Sequence, residues 1–81
     1  MKTINDAFIT KVSRLMKDRK LCKYRLSVKS AIPKSTVHNI LTGITKSANL
    51  EHILNICWGL DVQLAEFFDD ELFLFENLSD D

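Results

Sequence analysis

The sequence predicts an all-α domain of five helices, and three observations predict it. Apolar residues recur three and four apart along much of the chain, as in Val37, Ile40 and Leu41 or Leu50, Ile53, Leu54, Cys57 and Leu60, which is helical rather than strand periodicity. The stretch Ala31–Gly43 reads as a tight turn, a short helix and a stop. Pro33 suits the first helical turn, because its φ is already helical and its missing N–H is not needed there. Gly43 suits the left-handed position just past the end. Third, Asn49 stands where a helix beginning at Leu50 needs an N-cap, with Glu51 favourable in the first turn.

In chain order, Met1–Asn5 reads as a loose arm. The first helix is expected over about Asp6–Arg19, with Phe8, Val12, Leu15 and Arg19 on one stripe and Ile9 and Met16 beside it. Asp6 near its start and Lys17, Arg19 and Lys20 near its end suit the helix dipole. A second helix is expected over about Lys23–Ser30, with Leu26 as its core residue, Val28 as a second candidate and Cys22 as a weak N-cap. The third helix lies within the Ala31–Gly43 stretch, beginning at about Pro33 and ending before Gly43. Its apolar face must dock on the rest of the domain, because so short a helix is not stable alone. Thr42–Ala48 reads as a loop. The fourth helix, about Leu50–Leu60, is expected to bury Leu50, Ile53, Leu54, Cys57 and Leu60, leaving Trp58 off the stripe. A fifth, about Gln63–Phe68, offers Leu64, Phe67 and Phe68. The run Leu72-Phe73-Leu74-Phe75 fits helix or strand equally. The chain divides into a domain over 1–70 and an acidic, aromatic C-terminal extension over 71–81.

The formal net charge of zero hides a segregation. All eleven Lys and Arg lie in residues 1–47 with only Asp6 and Asp18 against them, a balance of +9, and residues 48–81 hold nine acids and no Lys or Arg, a balance of −9. Such asymmetry between halves hints at a face for a polyanion. With 81 residues the chain makes one small domain, which helix-rich packing or dimerisation would help to stabilise. No apolar run is long enough to cross a membrane, and charges interrupt Met1–Arg19 too often for a signal peptide. Cys22 and Cys57 lack metal-ligand spacing and are expected as reduced thiols in a cytoplasmic protein. His38 and His52 have no second ligand at zinc spacing. There is no Gly-rich phosphate loop and no nucleophile–base pair, so neither enzyme activity, cofactor nor metal is expected.

Leu21-Cys22-Lys23-Tyr24-Arg25-Leu26, then Ala31-Ile32-Pro33-Lys34-Ser35-Thr36-Val37, then Gly43, resemble the Cro/repressor-type (XRE-like) helix-turn-helix family. Asn49-Leu50-Glu51 through Ile56, and Leu60-Asp61-Val62 through Glu66-Phe67-Phe68, match its fourth and fifth helices, so the resemblance covers about residues 9–68. It implies the five-helix lambda-repressor-like fold, with helices 2 and 3 forming the helix-turn-helix. It also implies a DNA-binding transcriptional regulator whose third helix enters the major groove. Carried over position by position, Lys34, Ser35, Thr36 and Asn39 are the expected base readers. Lys23, His38, Thr45 and Lys46 are the expected phosphate contacts. The chain departs from the family in having Lys23 where a glutamine is usual, and Ala31 where glycine is favoured in the turn.

The expected partner is double-stranded DNA, bound by a repressor acting as a homodimer. Leu72, Phe73, Leu74, Phe75 and Leu78 remain once the five helices have filled a core. Trp58, Phe73 and Phe75 are therefore the expected dimer interface, the competing arrangement being that the tail folds back over helix 1 of its own chain. The alternative function is a protein-interaction module, such as an antitoxin or antirepressor, with its partner on the C-terminal segment.

Overall fold

Residues 2–79 are described by the structure, a computed structural model. Five α-helices follow one another: α1 (Ile4–Asp18), α2 (Lys23–Ser30), α3 (Lys34–Leu41), α4 (Leu50–Gly59) and α5 (Leu64–Phe68). Two single 3₁₀ turns, Glu71–Phe73 and Phe75–Asn77, complete the chain. Among the described residues there is no strand, only an isolated parallel bridge between Lys2 and Leu78.

Helix α1 begins two residues before its expected start, because Thr3 caps it: the Asp6 N–H donates to Thr3 Oγ1 at 3.1 Å. The expected loose arm is tied down as well. Lys2 N–H donates to the Asn77 carbonyl at 3.3 Å, and Ser79 N–H donates to the Lys2 carbonyl at 2.8 Å. Met1 lies outside the described residues.

Three helices end on non-glycine residues in the left-handed region, Lys20 (φ 55°), Ala31 (φ 56°) and Asp61 (φ 58°). Each end is closed by a backbone bond from the following residue to a carbonyl five positions back: Leu21 to Met16, Ile32 to Ser27 and Val62 to Cys57. A left-handed non-glycine residue costs roughly 1–2 kcal/mol. Burial of the residue that follows offsets that cost, most fully for Ile32, which enters the core between α2 and α3. Gly43, at φ 81°, ends α3 as its position in the sequence predicts.

The core joins Phe8, Val12 and Met16 of α1, Leu26 of α2, Ile32 of the turn, Val37 and Ile40 of α3, Ile56, Cys57 and Leu60 around α4, and Phe67 of α5. Burying each large side chain is worth roughly 1.5–3 kcal/mol. Helix α4 corrects the expected pattern. Leu50 is 84 % exposed and Leu54 43 %, while Ile56 is fully buried. The helix carries two apolar stripes, Ile53-Ile56-Cys57-Leu60 and Leu50-Leu54-Trp58, and α2 packs on the first. That docking needs a glycine. A Cβ at Gly59 would collide with Ser30 Oγ and lie 3.1 Å from Ser30 N. Helix α5 buries Phe67 but leaves Leu64, also expected in the core, exposed.

The tail takes the competing arrangement and lies against α1. Phe73 packs on Phe67 and Phe68, with ring centroids 5.8 and 4.9 Å apart. Asp70 Oδ2 accepts from Lys11 Nζ at 2.8 Å, and its Oδ1 accepts from the Leu72 N–H at 2.9 Å. Phe73 is thus half-buried in its own chain rather than left over as free apolar surface, and Leu72 and Leu78 are half-buried too; Phe75 stays 93 % exposed.

Two predictions follow from this packing. Gly59→Ala should lower stability by about 1–3 kcal/mol through overpacking against α2, and Ser30→Gly should recover part of that loss; chemical denaturation of the single and double variants checks both. The Leu72 N–H and then Lys11 hold the Asp70 carboxyl below its ordinary value. Its stabilisation is therefore complete above the ordinary carboxylate range and is lost as pH falls through the depressed value. Melting temperatures across that acid range should fall less steeply for Asp70→Asn than for the unaltered chain.

Candidate nucleic-acid interface

Helix α3 divides cleanly. Val37 and Ile40 are buried and Leu41 half-buried, whereas Lys34, Ser35 and His38 are exposed and Thr36 and Asn39 are half-buried. The four expected base readers thus share the outward side of one helix with His38. Pro33 stands at the N-cap, one residue earlier than its expected place, and its carbonyl accepts from the Thr36 and Val37 N–H groups at 3.0 and 3.1 Å. The first N–H groups of α3 are left pointing out of the helix start, where anions are favoured.

Helix α2 crosses beside α3 and is locked to it by the Ala31 turn and by the shared burial of Leu26, Ile32 and Val37. Cys22 caps α2 without any side-chain bond. Lys23, the first residue of α2, is half-buried, and its Nζ lies 3.1 Å from His38 Nδ1. Two residues expected as separate phosphate contacts are therefore hydrogen-bonded partners. They stand 15 positions apart, and no local pattern could have paired them. Thr45 and Lys46 follow α3 in the loop. The Thr45 N–H donates to the Asn39 carbonyl at 3.0 Å, which folds the loop onto the end of α3. Lys46 is exposed.

Not all of the basic half belongs to this face. Lys11 is committed to Asp70, and Arg14 lines a shallow concavity with Lys2, Asp70 and Glu71. Val28 on α2, a second core candidate from the sequence, is exposed instead, as are Tyr24 on α2 and Ile44 after α3, which charge and periodicity did not single out. Among the described residues no cluster of His, Cys, Asp and Glu could hold a metal ion, and no helix is long and apolar enough to cross a membrane.

Residues 11–72 match the sequence model of the Cro/C1-type HTH DNA-binding domain. The chain belongs to that family, and the paired α2 and α3 are its helix-turn-helix. DNA is accordingly its partner. Neither the curated proteins nor the solved structures contain a match to it.

The two cysteines should react differently. Burial pushes the Cys57 thiol up to about 11. The exposed Cys22 is lowered, chiefly by the backbone N–H of Arg25. Iodoacetamide at neutral pH should alkylate Cys22 in the folded protein and reach Cys57 only in denaturant, as mass spectrometry of the digested chain can read.

Proposed function

We propose that the chain is a sequence-specific transcriptional repressor of the cytoplasm, binding its operator as a homodimer with α3 in the major groove. The observation that carries this is the outward side of α3, where Lys34, Ser35, Thr36 and Asn39 face away from a core that holds the helix rigidly. Hydroxyls and an amide can read base edges, and Lys34 can reach a guanine. Lys23, Thr45 and Lys46 flank these readers and supply phosphate contacts, which set affinity and register. Occupying a promoter then suffices for repression.

A second copy is the proposed occupant of the apolar stripe on α4. Leu50, Leu54 and Trp58 are spaced four apart, and Trp58 is 73 % exposed. Leu54 and Trp58 also line a groove with Val62 and Leu64 of the α4–α5 corner. An antiparallel pairing of α4 about Leu54 would bring Leu50 onto the partner's Trp58 at both ends, which is the self-complementarity that a two-fold interface needs. Two α3 helices about 34 Å apart would then meet successive turns of one DNA face. Of the interface residues expected from the sequence, Trp58 belongs to this stripe and Phe75 is a separate exposed ring in the tail. The second reading, an antitoxin-like or antirepressor-like protein-interaction module, draws on Leu74 and Phe75, exposed among Asp69, Glu71 and Glu76.

Selection from random DNA followed by mobility shift tests the main reading. Affinity should fall by about 10³–10⁵ between 50 and 200 mM salt if the dimer neutralises roughly 6–10 phosphates. Ser35→Ala and Thr36→Ala should relax preference at one position of the site by about 1–3 kcal/mol, and Lys46→Ala should weaken all sequences alike. Light scattering should give a dimer for the full chain and a monomer for Leu54→Glu with Trp58→Glu; a full-length monomer argues against the pairing.

A further inference from the structure

The contact between Lys23 and His38 has a consequence for what α3 can read. An ammonium group carries three donors and no lone pair. At 3.1 Å from Lys23 Nζ, His38 Nδ1 must therefore be the acceptor. A neutral imidazole with Nδ1 accepting carries its proton on Nε2. The Thr42 N–H and hydroxyl both bond the His38 carbonyl, at 3.0 and 2.7 Å, so the backbone beneath the ring is fixed as well. His38 is exposed and lies one turn beyond Lys34 on the same side of α3.

From this geometry we infer that His38 contacts DNA as a donor-only residue. Its Nε2–H seeks an acceptor, and Lys23 is the positioning residue that keeps its acceptor nitrogen turned away. The inference rests on the proposed placement of α3 in the groove. The ligand chemistry is a hydrogen-bond acceptor on DNA. It is met by guanine N7 or O6, adenine N7 and thymine O4 on base edges, and by phosphate oxygens. The amino groups of cytosine and adenine are rejected at this position, because the ring nitrogen that could accept from them is occupied. Asn39, whose amide both donates and accepts, carries no such restriction. Lys23 keeps two N–H donors for a neighbouring phosphate.

Three measurements on the full chain test the inference. Long-range ¹H–¹⁵N spectra of the free protein above the imidazole titration should show His38 with Nε2 protonated and Nδ1 bare, and Lys23→Met should weaken that preference. A ring protonated on Nδ1, or one indifferent to Lys23→Met, overturns the positioning role. In binding to the selected DNA, His38→Ala should lose about three- to tenfold, the range for one neutral hydrogen bond. His38→Gln should keep most of the affinity, since its amide N–H₂ can stand in for Nε2–H, and His38→Asn, which places its amide nearer Nδ1, should not. Equal affinity for His38→Ala and the unaltered chain overturns the contact. Lys23→Met should cost less affinity in the His38→Ala background than alone, because coupled residues are not additive; additive losses overturn the coupling. If the His38→Ala loss is confined to one base pair, the acceptor is a base edge; if it is uniform over sequences and vanishes on methylphosphonate DNA, the acceptor is a phosphate. Either location supports the donor role. Undiminished binding by Lys34→Ala and Ser35→Ala would instead overturn the placement of α3, a failure that the spectra of the free protein do not register.

Discussion

The close approach of α2 to α4 governs this small domain. Helix α2 packs more extensively on α4 than on any other element, and Gly59 lets the Ser30 side chain sit directly on the α4 backbone. The Ser30 hydroxyl is buried there without a partner among the described residues, a cost that the surrounding apolar contacts offset. With α2 seated in this way, the Ala31 turn projects α3 off one end of the core. Leu26, Ile32, Val37 and Ile40 then hold α3 by its inner face. The reading role proposed for α3 needs its outward groups to keep a constant position relative to the proposed phosphate contact on α2, and this packing supplies that constancy.

The second organising constraint is electrostatic. The basic and acidic halves of the sequence do not become two opposed hemispheres. Asp70 reaches Lys11, and Glu71 stands by Arg14 and Lys2, so the tail neutralises part of α1. Cations on α2, α3 and the following loop, Lys23, Lys34 and Lys46 among them, have no carboxylate partner among the described residues. These cations remain free to meet a polyanion, as Lys11 does not. The same anchoring, reinforced by the cluster of Phe67, Phe68 and Phe73, holds the start of the acidic, aromatic C-terminal extension against α1 and α5.

Much of this was legible in the chain itself, because it depends on residues close in sequence. Pro33 and Gly43 bracket α3, Asn49 caps α4, and Val37 and Ile40 mark the buried face of α3; each effect acts within a turn or two of helix and needs no knowledge of what lies opposite. The outward set Lys34, Ser35, Thr36, His38 and Asn39 follows from that face by subtraction. The all-helical class was determined at this level, and the helix-turn-helix was implied by the resemblance of the motif residues to a known family. What only the tertiary structure decided is which of two equivalent apolar stripes on α4 is buried, since periodicity permits both and the approach of α2 at Gly59 selects Ile53-Ile56-Cys57-Leu60. It also decided that Phe73 turns inward and that Lys23 meets His38. These outcomes depend on surfaces brought together from distant parts of the chain, where packing and hydrogen bonding, rather than local spacing, choose the partner.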